Sequence, residues 1–263
     1  MSIPLSLSGK VALISGGSRG IGAATVRMFT AAGAKVAFSY RSARTQAEAL
    51  AQACGSAVCY PIASDLNDSE AARALVNETV QHFGRLDILV ANHGVWPAED
   101  VPIEQMSDSQ WRSTLSINLD GVFGLAKHAV AQMKSQPRHS AARAAAGHIV
   151  LISSTSGQRG EAYHIDYSAT KGAIISMTKT LAAELAPAGI YVNCVAPGWV
   201  DTDMSAGTLA DPKTGEEIRR TIPLRRAGKP EEIAAPVLFL CTEYAGFITG
   251  EIFNVNGGAV LAG

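Results

Sequence analysis

Seven short, continuously apolar runs divide this chain, and an amphipathic stretch separates each from the next. The runs are Lys10–Ser15, Lys35–Tyr40, Ala57–Ile62, Leu86–Ala91, His148–Ser153, Ile190–Val195 and Ile252–Val255. A strand with one wet face alternates apolar and polar residues, whereas an unbroken apolar run fits a strand covered on both faces. The intervening segments, near Ile21–Ala32, Arg44–Ala53, Ser69–Phe83, Ser107–Met133, Tyr167–Leu185 and Glu231–Cys241, carry helical patterns. Strand alternating with helix calls for right-handed crossovers. The chain is therefore predicted to be α/β, a doubly wound parallel sheet of about seven strands with helices on both faces. No linker-like cluster or repeat period intervenes, so residues 1–263 read as a single domain.

Two stretches depart from the rhythm. Ser135–Gly147 is a basic, Ala-rich insertion with Arg138 and Arg143, most simply a solvated loop or helix extension. The excursion Trp199–Lys229 is too long for a bare connection and reads as a substrate lid over approximately residues 199–229. Lys and Arg number 22 against 23 Asp and Glu, a net charge of −1, so bulk charge favours neither nucleic acid nor an anionic membrane. Met1–Lys10 lacks the features of a signal peptide, and no window holds some 18 consecutive apolar residues. A cytoplasmic protein is expected. Cys54, Cys59, Cys194 and Cys241 form no Cys-x-x-Cys pair and complete no zinc-ligand spacing, so no metal is expected. Cys194, inside an apolar run, reads as a buried, inert thiol.

The first strand runs into Gly16-Gly17-Ser18-Arg19-Gly20-Ile21-Gly22, and a helix follows at once. Glycines let the backbone turn sharply and approach a diphosphate, while the helix start supplies free N–H groups. An ordinary tight turn would look similar. Its position at the end of the first strand of a βαβ unit points to dinucleotide binding. The second strand ends in Ser39-Tyr40-Arg41-Ser42, where an NAD site usually places an acid on the ribose 2′-hydroxyl. With no acid there, Arg41 and Arg19 are expected to pair with a 2′-phosphate, so the expected cofactor is NADP(H).

Tyr167-Ser168-Ala169-Thr170-Lys171 places Tyr and Lys at i and i+4, on one face of a helix. Ser154 lies upstream at the carboxyl end of the fifth strand, where crevices in parallel sheets form. Asn118 sits mid-helix, an odd place for a residue that prefers caps and turns. With these residues in view, the chain resembles the short-chain dehydrogenase/reductase family. The resemblance rests on the turn Gly16–Gly22, Asp65-Leu66, Ala91-Asn92-His93-Gly94, Asn118, Ser154, Tyr167-x-x-x-Lys171 and Pro197-Gly198-Trp199-Val200-Asp201-Thr202. They occur in the family's order from about residue 6 to the carboxyl end. Ile248-Thr249-Gly250-Glu251 and Val255-Asn256-Gly257-Gly258 further resemble the branch typified by 3-oxoacyl-[acyl-carrier-protein] reductases.

The resemblance implies a Rossmann-type fold, hydride exchange between nicotinamide and a carbonyl or secondary alcohol, and a homotetramer. It casts Tyr167 as general acid, with Lys171 favouring the phenolate and binding the nicotinamide ribose. Ser154 would orient the substrate oxygen, and Asn118 would hold a water that links Lys171 to solvent. The cofactor contacts it implies are Gly16, Ser18, Arg19, Gly20, Ile21, Gly22, Arg41, Ser42, Asp65, Leu66, Asn92, Gly94, Tyr167, Lys171, Pro197, Gly198, Val200 and Thr202. From the residues alone, Asp65 could equally cap the helix that follows.

Two departures stand out. His93 occupies a position where the family usually has Ala, and reads most simply as a packing substitution. Ala188-Gly189 precedes the sixth strand where acyl-carrier-protein reductases usually offer an arginine to the acidic carrier. Arg138, Arg143 and Arg159 are the candidates to replace it. Two substrates stay open: a 3-oxoacyl thioester on acyl carrier protein, and a free small ketone, sugar or polyol. Val95–Trp96, Gln158–Ile165 and Met204–Leu209 are the expected substrate lining, mixed in polarity. A non-catalytic NADPH-binding regulator is disfavoured, because such proteins typically lose the Tyr or Lys that this chain keeps.

Overall fold

Strand order in the sheet is β3-β2-β1-β4-β5-β6-β7, with every neighbouring pair parallel. The strands are β1 (Val11–Ile14), β2 (Lys35–Tyr40), β3 (Cys59–Ala63), β4 (Ile88–Ala91), β5 (Gly147–Ile152), β6 (Ile190–Pro197) and β7 (Ile252–Val255). The computed structural model describes residues 5–137 and 145–261. Arg138 and Arg143 lie outside the described residues. The chain winds outward from β1 to β3, returns to β4 on the other side of β1, and winds outward again. This reversal leaves a crevice at the carboxyl ends of β1 and β4.

Apolar residues at consecutive positions serve two separate cores. In β1, Ala12 and Ile14 face one layer, with Val36 and Phe38 of β2 and Ile88 and Val90 of β4. That layer is closed by Val26 and Phe29 of α1 (Gly20–Ala31), Leu50 of α2 (Arg44–Cys54), and Ile233 and Val237 of α10 (Pro230–Leu240). Leu13, between them, faces the other layer with Leu89, Ile149 and Leu151. There it meets Leu75 of α3 (Ser69–Phe83), Leu125 of α5 (Gly121–Ser135) and Ile174 of α7 (Ile165–Leu185). The period of two thus persists in the strand, but neither face is wet. Truncating a filler such as Phe29, fully buried, costs about 3–5 kcal/mol.

The strands and long helices fall where the sequence places them, within a few residues at each end. Local chemistry sets the limits of α3. Asp68 Oδ1 accepts from the Ala71 N–H at 2.8 Å, and Gly84 ends the helix at φ +85°. One expected helix is broken. Ser107–Met133 divides into α4 (Asp108–Leu115) and α5, joined by a π-helical turn over Ser116–Asp120 that carries Asn118. The excursion after β6 contains two further helices, α8 (Ala206–Ala210) and α9 (Pro212–Thr221), and is bracketed by a bridge between Val200 and Gly228. The remaining helix is α6 (Thr155–Arg159), directly after β5.

Candidate active site

The segments leaving the carboxyl ends of β1 to β6 converge on one cavity. Its wall takes Gly16, Ser18, Arg19, Gly20 and Ile21 from the first turn, Arg41 and Ser42 after β2, and Asp65 and Leu66 after β3. Asn92 and Gly94 come from the segment after β4, Ser154 from that after β5, Tyr167 and Lys171 from α7, and Pro197, Gly198, Val200 and Thr202 from the end of β6 onward. Of the residues expected at the site, Gly22 and Asn118 do not line it.

Gly22 acts from behind. A Cβ there would lie 2.1 Å from the Gly16 carbonyl oxygen and 2.7 Å from Asn92 Nδ2, so only glycine lets α1 press against the turn. Asn92 Nδ2 in turn donates to the carbonyls of Ser15 and Gly16, both at 3.1 Å, and fixes the turn to the end of β4. At the helix start, Arg19 is extended, caps nothing with its side chain, and no acid stands in the first turn. The first N–H groups of α1 are left for another acceptor, as an anion site at a helix start requires. Arg19 lies 3.7 Å from Asp203, while Arg41 has no carboxylate within ion-pair distance among the described residues. An uncapped helix start and two cavity-lining arginines, one of them unpaired, fit a dinucleotide with an additional phosphate.

Asp65 is not the cap of α3; Asp68 is, and Asp65 lines the cavity instead. His93 also does more than fill space. Ser15 Oγ accepts from the N–H groups of Asn92 and His93 at 3.0 and 3.2 Å, and lies 2.8 Å from His93 Nδ1. With both lone pairs used, the hydroxyl donates to Nδ1, so the proton of the neutral ring sits on Nε2. Burial first, and then the charge of Lys171, hold His93 down to about 4.

The reacting end is assembled from α6 and α7. Ser154 caps α6, its Oγ accepting from the Ser156 N–H at 3.1 Å, and it hydrogen-bonds the Tyr167 phenol. Gly157 lets α6 lie on α7, since a Cβ there would come within 2.4 Å of the Lys171 backbone. Ser153 Oγ donates to the Lys171 carbonyl at 2.7 Å, and Lys171 Nζ donates to the Ile152 carbonyl at 2.9 Å. Asp166, fully buried in the first turn of α7, accepts from Thr114 Oγ1 at 2.8 Å and so ties α4 to the helix that carries Tyr167.

Burial pushes Tyr167 up to about 12; the Ser154 hydrogen bond opposes this, and the charge of Glu161 adds to it. The ammonium lies 5.6 Å from the ring centroid but is directed to the Ile152 carbonyl, and burial takes Lys171 itself down to about 8. The Asn118 side chain meets the segment after β4. Its Oδ1 accepts from the Val95 N–H at 2.8 Å and its Nδ2 donates to the Val95 carbonyl at 2.9 Å. The side chain is fully buried and committed to that backbone. Cys194 is the inert thiol expected, fully buried and pushed up to about 11 by that burial.

A family model described as Enoyl-(Acyl carrier protein) reductase matches residues 16–260. The chain belongs to the short-chain dehydrogenase/reductase family. Within this family it is 36% identical to a 3-oxoacyl-[acyl-carrier-protein] reductase of Synechocystis sp., over 97% of this chain and 99% of that protein. An acetoacetyl-CoA reductase of the same organism is 38% identical over 97% of this chain and 98% of its own length. Among solved structures, a short chain dehydrogenase from Burkholderia cenocepacia J2315 in complex with NADP is similar at a TM-score of 0.85. It is 32% identical, and the match covers 96% of this chain and 98% of that one. Membership of the short-chain dehydrogenase/reductase family accounts for the site's outline. Ser15, Ser39, Asp166 and Gly157 were missed in the sequence. Ser15 and Ser39, whose Oγ accepts from the Gly16 N–H at 3.1 Å, do leave a faint signal there, as the lone serines at or near the ends of apolar strands.

Proposed function

We propose that the protein is an NADP(H)-dependent carbonyl reductase acting on a 3-oxoacyl thioester, with Tyr167, Ser154 and Lys171 as its catalytic residues. The observation that carries this reading is the meeting of Ser154, Tyr167 and Lys171 on one wall of the cavity that the glycine turn opens. The reductase names of the two Synechocystis relatives and the NADP bound to the Burkholderia structure support it. The cofactor would lie on Gly16, Ser18, Gly20 and Ile21, with Arg19 and Arg41 holding its 2′-phosphate and Asp65 and Leu66 at its adenine. Asn92, Gly94, Pro197, Gly198, Val200 and Thr202 would line its remaining length. Bound there, it supplies the hydride.

Ser154 Oγ donates to the substrate carbonyl and orients it beside the phenol. Tyr167, kept neutral by burial, gives its proton to the oxygen as negative charge develops there. With the cofactor bound, Lys171 would hold its ribose hydroxyls and bring its charge to the phenolate that remains. Asn118 holds Val95, and the relay of protons to solvent falls to groups other than its amide.

A second reading, a free ketone, sugar or polyol as substrate, draws on Arg159 and Glu161 in the cavity wall and on Ala188 in place of a carrier-docking arginine. Residues 199–229 act as the lid in either case. Phe247 is fully exposed, and Phe253 projects from the edge strand β7. These aromatic surfaces support a homotetramer, and the free cysteines suit a reducing cytoplasm. The test is NADPH and NADH consumption with acetoacetyl thioesters, unactivated ketones and polyols. Thioester reduction with NADPH at least about tenfold tighter than NADH is expected, and Arg41→Asp narrows that gap. Tyr167→Phe should cut turnover by about 10³ with NADPH affinity unchanged within a few-fold. Equal dissociation constants would refute the cofactor assignment, and near-normal turnover of the variant the role of Tyr167.

A further inference from the structure

Trp96 and Trp199 come from opposite sides of the cavity and meet. Trp96 follows β4, and Trp199 opens the excursion after β6; both line the cavity with Ser154 and Tyr167. Their rings stand edge to face, with centroids 5.7 Å apart and planes at 87°.

The backbone on both sides of the pair is anchored. On the far side of Trp96 the His164 imidazole lies at 5.0 Å, itself buried and 3.2 Å through Nε2 from Asp100. The Val101 N–H donates to the Tyr163 carbonyl at 3.3 Å, so the segment after β4 is fastened to the start of α7 at several points. Val95, beside Trp96, is the residue whose N–H and carbonyl Asn118 holds. The main chain at Trp199 is held as well. The Gly228 N–H donates to its carbonyl at 2.9 Å, and the Gly198 N–H before it donates to Val255 at 3.0 Å.

We propose that Trp96 and Trp199 form a fixed aromatic rim that sets the length of substrate this enzyme accepts, confining it to compact carbonyls such as a short 3-oxoacyl group. The proposal rests on the carbonyl-reductase reading and narrows its substrate class. A long acyl chain would have to displace one of two braced indoles, whereas a short chain or a single ring fits beneath them. Chain length beyond the rim is then penalised in kcat/KM rather than rewarded by added apolar contact.

The probes are ethyl 3-oxobutanoate and ethyl 3-oxodecanoate, whose reacting carbonyls are alike and whose chains differ. With NADPH, the wild type is expected to favour the short ester by at least about tenfold in kcat/KM, and Trp199→Ala and Trp96→Ala to reduce that ratio to about threefold or less. Trp199→Phe, which keeps an aromatic ring of smaller size, gives an intermediate ratio and covers the case in which an alanine variant fails to fold. A wild-type ratio near one, or the wild-type ratio preserved in Trp199→Phe and the alanine variants, overturns the rim. Binding of NADPH with no turnover of either ester overturns the 3-oxoacyl reading itself, and the rim with it.

Discussion

Replacing Asn118 by alanine separates two accounts of that residue. If the amide serves to clamp Val95, its loss removes partners from an N–H and a carbonyl held at 2.8 and 2.9 Å. A hydrogen bond is worth about 1 kcal/mol net, and a group left buried without a partner costs about 1–3 kcal/mol. Asn118 is fully buried, which leaves water little room to substitute, so the two losses together come to about 2–4 kcal/mol. In a chain of this size each kcal/mol moves the melting temperature by about 2–4 °C, so a fall of roughly 4–16 °C is expected. Urea and thermal unfolding of the cofactor-free protein read this directly. Asn118→Asp should recover only part of it, since it accepts from the Val95 N–H but turns its second oxygen on the Val95 carbonyl. Unchanged melting together with lost turnover would refute the clamp and return the side chain to a proton relay.

Two other perturbations have equally definite outcomes. Lys171 is held to about 8 against an ordinary 10.5, so below pH 8 the folded protein carries the cost of a buried ammonium, about 3 kcal/mol. Between pH 8 and 10.5 the unfolded chain binds the extra proton, and wild-type stability should climb relative to Lys171→Met; a flat difference in chemical denaturation across that window would count against it. In Gly22→Ala the new methyl would fall 2.1 Å from the Gly16 carbonyl, a backbone atom that cannot give way. The variant should lose about 3 kcal/mol or more of stability along with NADPH binding by fluorescence titration, whereas normal melting and affinity would show that the turn yields.

The parallel sheet was legible because every strand needs two covered faces, and that need writes unbroken apolar runs such as Val11–Ile14 into the chain. The cofactor and reacting residues were legible because their chemistry fixes spacing: a glycine turn before a helix, and a Tyr and Lys one helical turn apart. What stayed hidden depends on contacts between distant segments. Nothing around Asn118 announces a π-helical turn, since its buried partner, Val95, lies 23 residues away. The Ser15 hydroxyl meets His93 only once β1 and β4 are neighbours. Direction was hidden as well. Tyr167 and Lys171 share a helix face, yet the ammonium is turned to a carbonyl of the adjoining strand, and burial is the main influence on the phenol.

The π-helical turn between α4 and α5 also fixes the length of that region as strictly as any residue in it. Each residue of a helix advances the phase by about 100°, so removing one from Ser116–Asp120 would rotate all of α5 by about that angle relative to α4. Val122, Leu125, Ala129 and Met133 would then swing away from α3 and the sheet, and Phe123, Ala126, Val130 and Lys134, of different size and charge, would take their place. A deletion here therefore acts on a whole layer of the molecule, where the same deletion in a surface loop would be absorbed in place. Chain length through this turn is a packing parameter, and an alignment that closes a gap inside it misassigns one entire face of the core.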